Sequence, residues 1–174
     1  PASMPLTRIV NSALDGVVRE MEEVRAEIVK YAGSDLLCYR AGEPTSLVEA
    51  QARAWDPILA WAREELGARF ICAEGVVFAA QPEPAIAAVA RQVGQVTSPL
   101  ALAALSVMTT ITGSALLALA TAQGRLTAAE AWAAAHVDED FQIRNWGEDE
   151  DAALRRAKRW TDMEAAATVY AFSA

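Results

Sequence analysis

The sequence predicts a mainly α protein with a minor β-hairpin, an α+β chain. A long N-terminal helix leads into a multi-helix domain built around a buried apolar central helix. Three observations predict this. Apolar residues recur at alternating spacings of four and three from Val10 to Tyr31, residues 92–124 carry no charge at all, and only Arg69 to Ala80 concentrates β-prone residues about a turn signal. With 174 residues, 53% of them hydrophobic, the chain can bury a sizeable core. The division expected is a connecting amphipathic helix over residues 1–32 and a helical domain with a small β element over residues 33–174, packed as one unit.

Val10, Leu14, Val17, Met21, Val24, Ile28 and Tyr31 form a heptad seam, so Thr7 to Tyr31 reads as one long helix lying lengthwise on a neighbour. Gly33 stops it. Asp35 to Arg40 is short and mixed, an extended segment followed by a turn at Gly42 and Pro44. Thr45 or Ser46 can cap the next helix, whose apolar line includes Leu47, Ala54, Ile58 and Trp61, with Pro57 as a kink or a new start. Trp55 and Trp61 are expected in the core. In RFICAEGVVFAA (Arg69 to Ala80), two β-prone runs flank Glu74 and Gly75, hence the hairpin. Pro84 to Gln95, Pro99 to Gln123, Thr127 to Asn145 and Glu148 to Phe172 read as helices, and Thr127 with Glu130 makes a capping box.

The uncharged run has two readings. Leu100 to Ala122 is long enough to span a bilayer, for which about 20 apolar residues suffice. Its hydroxyls (Thr109, Thr110, Thr112 and Ser114 among them), its reliance on alanine, and flanks offering little beyond Arg91 and Arg125 favour a helix buried on all sides of a globular core. A protein without membrane insertion is therefore expected, and a membrane-associated helical protein is the alternative.

Charge and side-chain inventory narrow the function. A net charge of −8 and a pI near 4.7 oppose nucleic-acid binding, because no basic patch meets the phosphate field. His136 is the only histidine, and Cys38 and Cys72 are far apart, so neither a multi-histidine nor a thiolate zinc site can form; both thiols are expected buried. Asp138 cannot open an EF-hand loop, since Ile143 stands where glycine is required. Phosphate-cradling glycine loops are absent and Ser114 lacks a nucleophile-elbow setting. No metal or cofactor is expected, and a non-enzyme is the better reading. Glu139 and Glu148 as an acid-base pair remain the alternative, a carboxylate-dependent hydrolase.

Residues 138–151 hold seven carboxylates (Asp138, Glu139, Asp140, Glu148, Asp149, Glu150, Asp151) with Arg144 as the one basic residue among them. Such a field attracts a basic surface or a cation. Glu148 to Asp151 open the last helix, where they complement its dipole or meet a partner, and Asp151 with Arg155 makes an i,i+4 pair. Asp138, Glu139 and Asp140 fall late in the helix expected over Thr127 to Asn145, where the dipole disfavours acids, so a partner explains them better. Trp146, beside Gly147, is either core or an interface anchor.

The same region carries a resemblance. Its acid-Glu-x-aromatic-Gln pattern and Trp-Gly-Glu-Asp-Glu (Trp146 to Glu150), together with MPLTRIVNSALD (Met4 to Asp15), SDLLCYRA (Ser34 to Ala41), WDPILAW (Trp55 to Trp61) and TGSALLALA (Thr112 to Ala120), resemble the assembly chaperones that attend the alpha subunit of F-type ATP synthase in mitochondria and alphaproteobacteria. Members of that family carry a β-rich domain ahead of the Met-Pro-Leu-Thr segment, most of which is expected to lie outside this chain. The resemblance implies a non-catalytic chaperone that holds the unassembled alpha subunit and prevents its aggregation until beta arrives. It would act in the bacterial cytoplasm, or in the mitochondrial matrix if eukaryotic. Asp138, Glu139, Asp140, Gln142 and Glu148 are the expected polar contacts and Phe141 and Trp146 the apolar anchors.

Overall fold

A computed structural model describes residues 4–75 and 77–174. The mainly α class holds, but several expected elements are divided. Pro5 at the first turn, where its missing N–H costs nothing, starts α1 (Pro5–Ser12). The chain then widens into a π-turn at Ala13–Val17, turns at Val18 and Arg19, and begins α2 (Met21–Ala32). The single helix expected over Thr7 to Tyr31 is thus two. Gly16 has low helix propensity and no side chain to pack, so the ladder yields there. Ile9, Ala13 and Val17 bury before the turn and Ile28 and Ala32 after it, whereas Val10 of the expected seam is exposed. The side chain of Leu14 lies outside the described residues.

Asp35 is the node of the next segment. Its carboxylate is fully buried and accepts from the N–H of Leu37 at 3.2 Å, the hydroxyl of Ser114 at 2.7 Å and the N–H of Leu116 at 3.1 Å. One acid therefore caps the short 3₁₀ turn Leu36–Cys38 and the start of a helix some eighty residues away, where the macrodipole also favours it. Two of the stretches that carry the family resemblance, Ser34 to Ala41 and Thr112 to Ala120, meet at this contact.

The β element is smaller than expected and of different topology. β1 (Tyr39–Arg40) pairs in parallel with β2 (Ala73–Glu74), Tyr39 opposite Ala73 and Arg40 opposite Glu74. No hairpin forms over Arg69 to Ala80 among the described residues. The first β-prone run crosses to the earlier segment, and Gly75, with φ of 74°, donates its N–H to Arg40 O at 3.0 Å and ends the pairing. In place of a second strand, the Gln81 carboxamide clasps the N–H and C=O of Ile71, both at 2.8 Å. Cys72 beside β2 is exposed, contrary to expectation, and Cys38 is buried.

α3 (Thr45–Trp61) follows Pro44 without a side-chain cap, so neither Thr45 nor Ser46 plays the expected role. Pro57 sits inside it without ending it, and a π-turn at Ala62–Leu66 runs to Gly67, whose left-handed φ of 73° stops the helix. Trp55 and Trp61 are buried as expected, and the Trp55 indole donates to Ala134 O at 2.7 Å. α4 (Glu83–Gly94) leads to the apolar centre.

That centre is two helices rather than one. α5 (Pro99–Thr112) ends on Gly113 in the left-handed region, and Ser114 caps α6 (Ala115–Ala122) by accepting from Leu117 N at 3.0 Å. Leu102, Leu105, Met108, Leu116 and Leu117 are fully buried, with α5 packed on α9, α2 and α6. The buried hydroxyls donate back along their own helix, Thr109 to Leu105 O and Thr112 to Met108 O at 2.8 Å each, so they cost little in an apolar setting. Among the described residues no helix is long and apolar enough to cross a membrane.

α7 (Ala128–Ala135) opens with the expected capping box, in which Thr127 and Glu130 satisfy each other's backbone N–H groups. The helix expected to continue to Asn145 breaks at His136, with φ of −113° and ψ of 20°, and α8 (Val137–Trp146) begins directly after it. Gly147 separates α8 from α9 (Glu150–Ser173), the longest helix described, which packs along α5, α1 and α7.

Candidate functional site

The break at His136 changes the reading of the acid cluster. Asp138, Glu139 and Asp140 lie in the first turn of α8, not late in a longer helix, so the macrodipole favours them. Each also has a partner within the chain. Asp138 accepts from the Gln51 side chain at 2.7 Å; Gln51 is only 2% exposed and in turn accepts from Ala41 N at 2.8 Å. Glu139 accepts from the Arg159 guanidinium at 3.2 and 3.3 Å, with Arg156 at 3.9 Å. Asp140 pairs with Arg156. The expectation that these acids lack a local stabilising role is therefore corrected. They pin α8 to α3 on one side and to α9 on the other.

Aromatic packing supports Arg156 from below. Trp132 stacks at 3.8 Å on the His136 ring, meets Trp160 edge-on at 5.4 Å, and lies under the Arg156 guanidinium at 5.9 Å. The His136 Nδ1 is 2.7 Å from Trp132 O, which it meets as a donor. Burial pulls the His136 pKa below its ordinary 6.5, against the backbone hydrogen bond and Glu139, which raise it. The ring is neutral at neutral pH, which suits its structural position. Glu139, 3.7 Å from Nε2, is held by the arginines rather than by an imidazolium.

Of the rest of the predicted set, all but Phe141 are exposed. Phe141 is half-buried against the core, Gln142 is exposed, and Trp146 is 72% exposed at the end of α8. Of its two sequence readings, core or anchor, Trp146 is therefore not core. Glu148 is exposed in the link to α9, and Asp149 caps that helix by accepting from Ala152 N at 2.9 Å. Glu150 and Asp151 occupy its first turn, and no ion pair joins Asp151 to Arg155 among the described residues. Glu139, of the acid-base pair in the hydrolase alternative, is engaged by arginines of α9, and Glu148 is exposed on the link beyond the C-terminal end of α8. Among the described residues no group of three His, Cys, Asp or Glu side chains could hold a metal ion.

Sequence reasoning did not single out Arg156, Arg159, Trp132, Trp160 or Gln51 for this site. Arg156 and Arg159 stand sixteen and twenty residues from their acids, with no local spacing to join them. The available signal was the sign reversal from an acidic stretch to the basic Arg155 to Arg159 block.

Residues 1–63 match the family model described as ATP12 chaperone protein. The crystal structure of Atp12 from Paracoccus denitrificans superposes with a TM-score of 0.92 at 37% identity, over 98% of this chain and 73% of that one. The chain belongs to the ATP12 chaperone family. A second structure, an Asp-to-Lys variant of the same ATP12 protein from Paracoccus, matches with a TM-score of 0.91 at 37% identity over 97% of this chain and 71% of that one. The Atu1473 protein of Agrobacterium tumefaciens, described as a candidate chaperone, matches with a TM-score of 0.94 at 53% identity over 98% of this chain. The chain spans 64% of the length of that Agrobacterium protein. The ATP12 likeness thus covers nearly all of the fold described above, including the α7, α8 and α9 cluster.

Proposed function

We propose that this chain acts as a non-catalytic assembly chaperone for F-type ATP synthase. It binds the unassembled alpha subunit and keeps it from aggregating until beta arrives. The observation that carries the reading is membership of the ATP12 chaperone family across almost the whole chain. An unassembled subunit exposes apolar interface, which self-associates unless covered. Reversible covering needs a complementary surface and no nucleotide chemistry. The compartment proposed is the bacterial cytoplasm, or the mitochondrial matrix if the source is eukaryotic.

Asp138, Glu139, Asp140, Phe141, Gln142, Trp146 and Glu148 are proposed to contact the client, with distinct parts. Trp146, Gln142 and Glu148 are free to bind directly, Trp146 as the exposed aromatic anchor. Asp138, Glu139 and Asp140 fix the angle of α8 and present only the remaining faces of their carboxylates. Residues 1–32, packed on α5 and α9, are proposed to form one body with residues 33–174.

The test is light scattering from isolated alpha subunit diluted out of denaturant, with and without this protein and without added ATP. Scattering falls if the reading is right. Equal aggregation in both samples refutes it.

A further inference from the structure

We propose that the groove between α3, α7 and α8 seats an apolar-faced helix of the client that carries carboxylates beside its apolar face. The inference rests on the chaperone reading and assigns to it a surface and a partner chemistry. The groove has a volume of about 460 Å³ and is floored by Ala50 and Ala54 of α3, Ala133 and Ala134 of α7, and Ile58 and Val137. The alanines of α3 recur one turn apart along one face, and with no long side chain between them a second helix can approach to the short end of the usual interaxial range, about 8 Å. The shape suits a helix laid lengthwise better than an isolated small molecule, because the floor is shallow, apolar and continuous over three elements.

The rim states the charge of the occupant. Four charged residues line it, Arg53, Glu130, Asp140 and Arg144. Both acids are already satisfied within the chain. The Glu130 carboxylate accepts from the N–H and hydroxyl of Thr127 at 2.8 Å each, and Asp140 pairs with Arg156. The arginines are not. Arg53 has only an exposed i,i+4 neighbour, Glu49, at 3.8 Å, and Arg144 has no carboxylate within 4 Å among the described residues. A chain of net charge −8 thus presents a groove in which Arg156 neutralises Asp140, the N-terminal dipole of α7 offsets Glu130, and Arg144 has no carboxylate beside it among the described residues. Carboxylates on the occupant complement it, and a basic occupant does not.

Pro57 adds a polar feature to the same wall. It lacks an N–H, so the carbonyl of Arg53, four residues earlier, has no i+4 helical donor. The groove also shares Asp140 with the acid cluster, which makes it continuous with the proposed contact surface of α8.

The experiment measures the affinity of isolated alpha subunit for the full chain by titration calorimetry, beside thermal melting of every variant. Arg53→Glu with Arg144→Glu is expected to weaken binding about tenfold or more, and Arg53→Gln with Arg144→Gln about threefold. Ala54→Trp, which fills the floor, is expected to weaken it about tenfold. Arg19→Glu with Lys30→Glu, a charge-matched pair on exposed positions outside the groove, should change it less than about twofold. The arginine substitutions lie on exposed side chains and decide the question if Ala54→Trp fails to fold. Wild-type affinity in the folded arginine variants overturns the groove and leaves the chaperone reading standing. Loss equal to that of the charge-matched pair overturns the assignment of charge to the groove. Self-association of the free chain that the Glu pair abolishes assigns the groove to a second copy and overturns the client helix. Absence of any binding by the wild type overturns both proposals.

Discussion

Reversing the charge of Glu139 tests whether the acid cluster is structural. Its carboxylate is 35% exposed, accepts from Arg159 at 3.2 and 3.3 Å and lies 3.9 Å from the Arg156 guanidinium. Partly exposed ion pairs contribute about 0.2–1 kcal/mol each. Glu139→Gln removes both and should cost about 1 kcal/mol. Glu139→Lys also sets a cation against two guanidinium groups, adding repulsion of similar size, for about 2 kcal/mol in all. In a domain of this length 1 kcal/mol corresponds to about 2–4 °C in Tm, so the Gln variant should melt about 3 °C lower and the Lys variant about 6 °C lower. The assay is thermal melting by circular dichroism at 20 mM and 500 mM salt, because screening should shrink the difference between the two variants. Adding Arg159→Glu to Glu139→Lys should restore about half of the loss by rebuilding one pair in reverse. A Lys variant that melts with the wild type at low salt would refute the reasoning and return Glu139 to the solvated surface.

The buried Asp35 gives a pH dependence of unusual sign. Burial pushes its pKa from 3.8 up to about 6 against the hydrogen bonds that lower it, so between pH 4 and 6 Asp35 binds its proton more fully in the folded than in the unfolded chain. Its contribution is fully present below pH 4 and is lost as pH rises through about 6, a change of roughly 3 kcal/mol. Chemical denaturation across that window should show this slope in the wild type and its absence in Asp35→Asn; parallel profiles would contradict it. Of the two thiols, Cys72 is exposed and should react with a thiol reagent in the native state, while Cys38, buried and pushed up to about 12, should react only on unfolding; two equally fast thiols would be inconsistent with this. Trp146→Ala should move Tm by less than about 2 °C, since an exposed surface residue contributes within about 0.5 kcal/mol, yet weaken alpha-subunit binding about tenfold or more; unchanged affinity in calorimetry would remove Trp146 from the contact surface.

Local composition determined much of this protein. Pro99 at a helix start, the Thr127 and Glu130 capping box, the buried Trp55 and Trp61, and the hydroxyl-studded apolar run are each written in neighbouring residues and needed no tertiary information. The family resemblance was legible for the same reason, being carried by short stretches in order. Tertiary structure decided where local signals compete or fall silent. Hydrophobic periodicity alone ran helices through Gly16, Gly113 and His136, because the gain from turning the chain lies in packing against distant helices. β-Prone residues announced strands, but the partner of β2 lies more than thirty residues upstream, beyond any turn signal. The acid cluster shows the limit most clearly. With the helix read as continuous, the dipole argument assigned Asp138, Glu139 and Asp140 the wrong end, and their partners, the Gln51 amide and the Arg156 and Arg159 guanidinium groups, are supplied by α3 and α9. Charge acts through space, and only folding sets which charges are close.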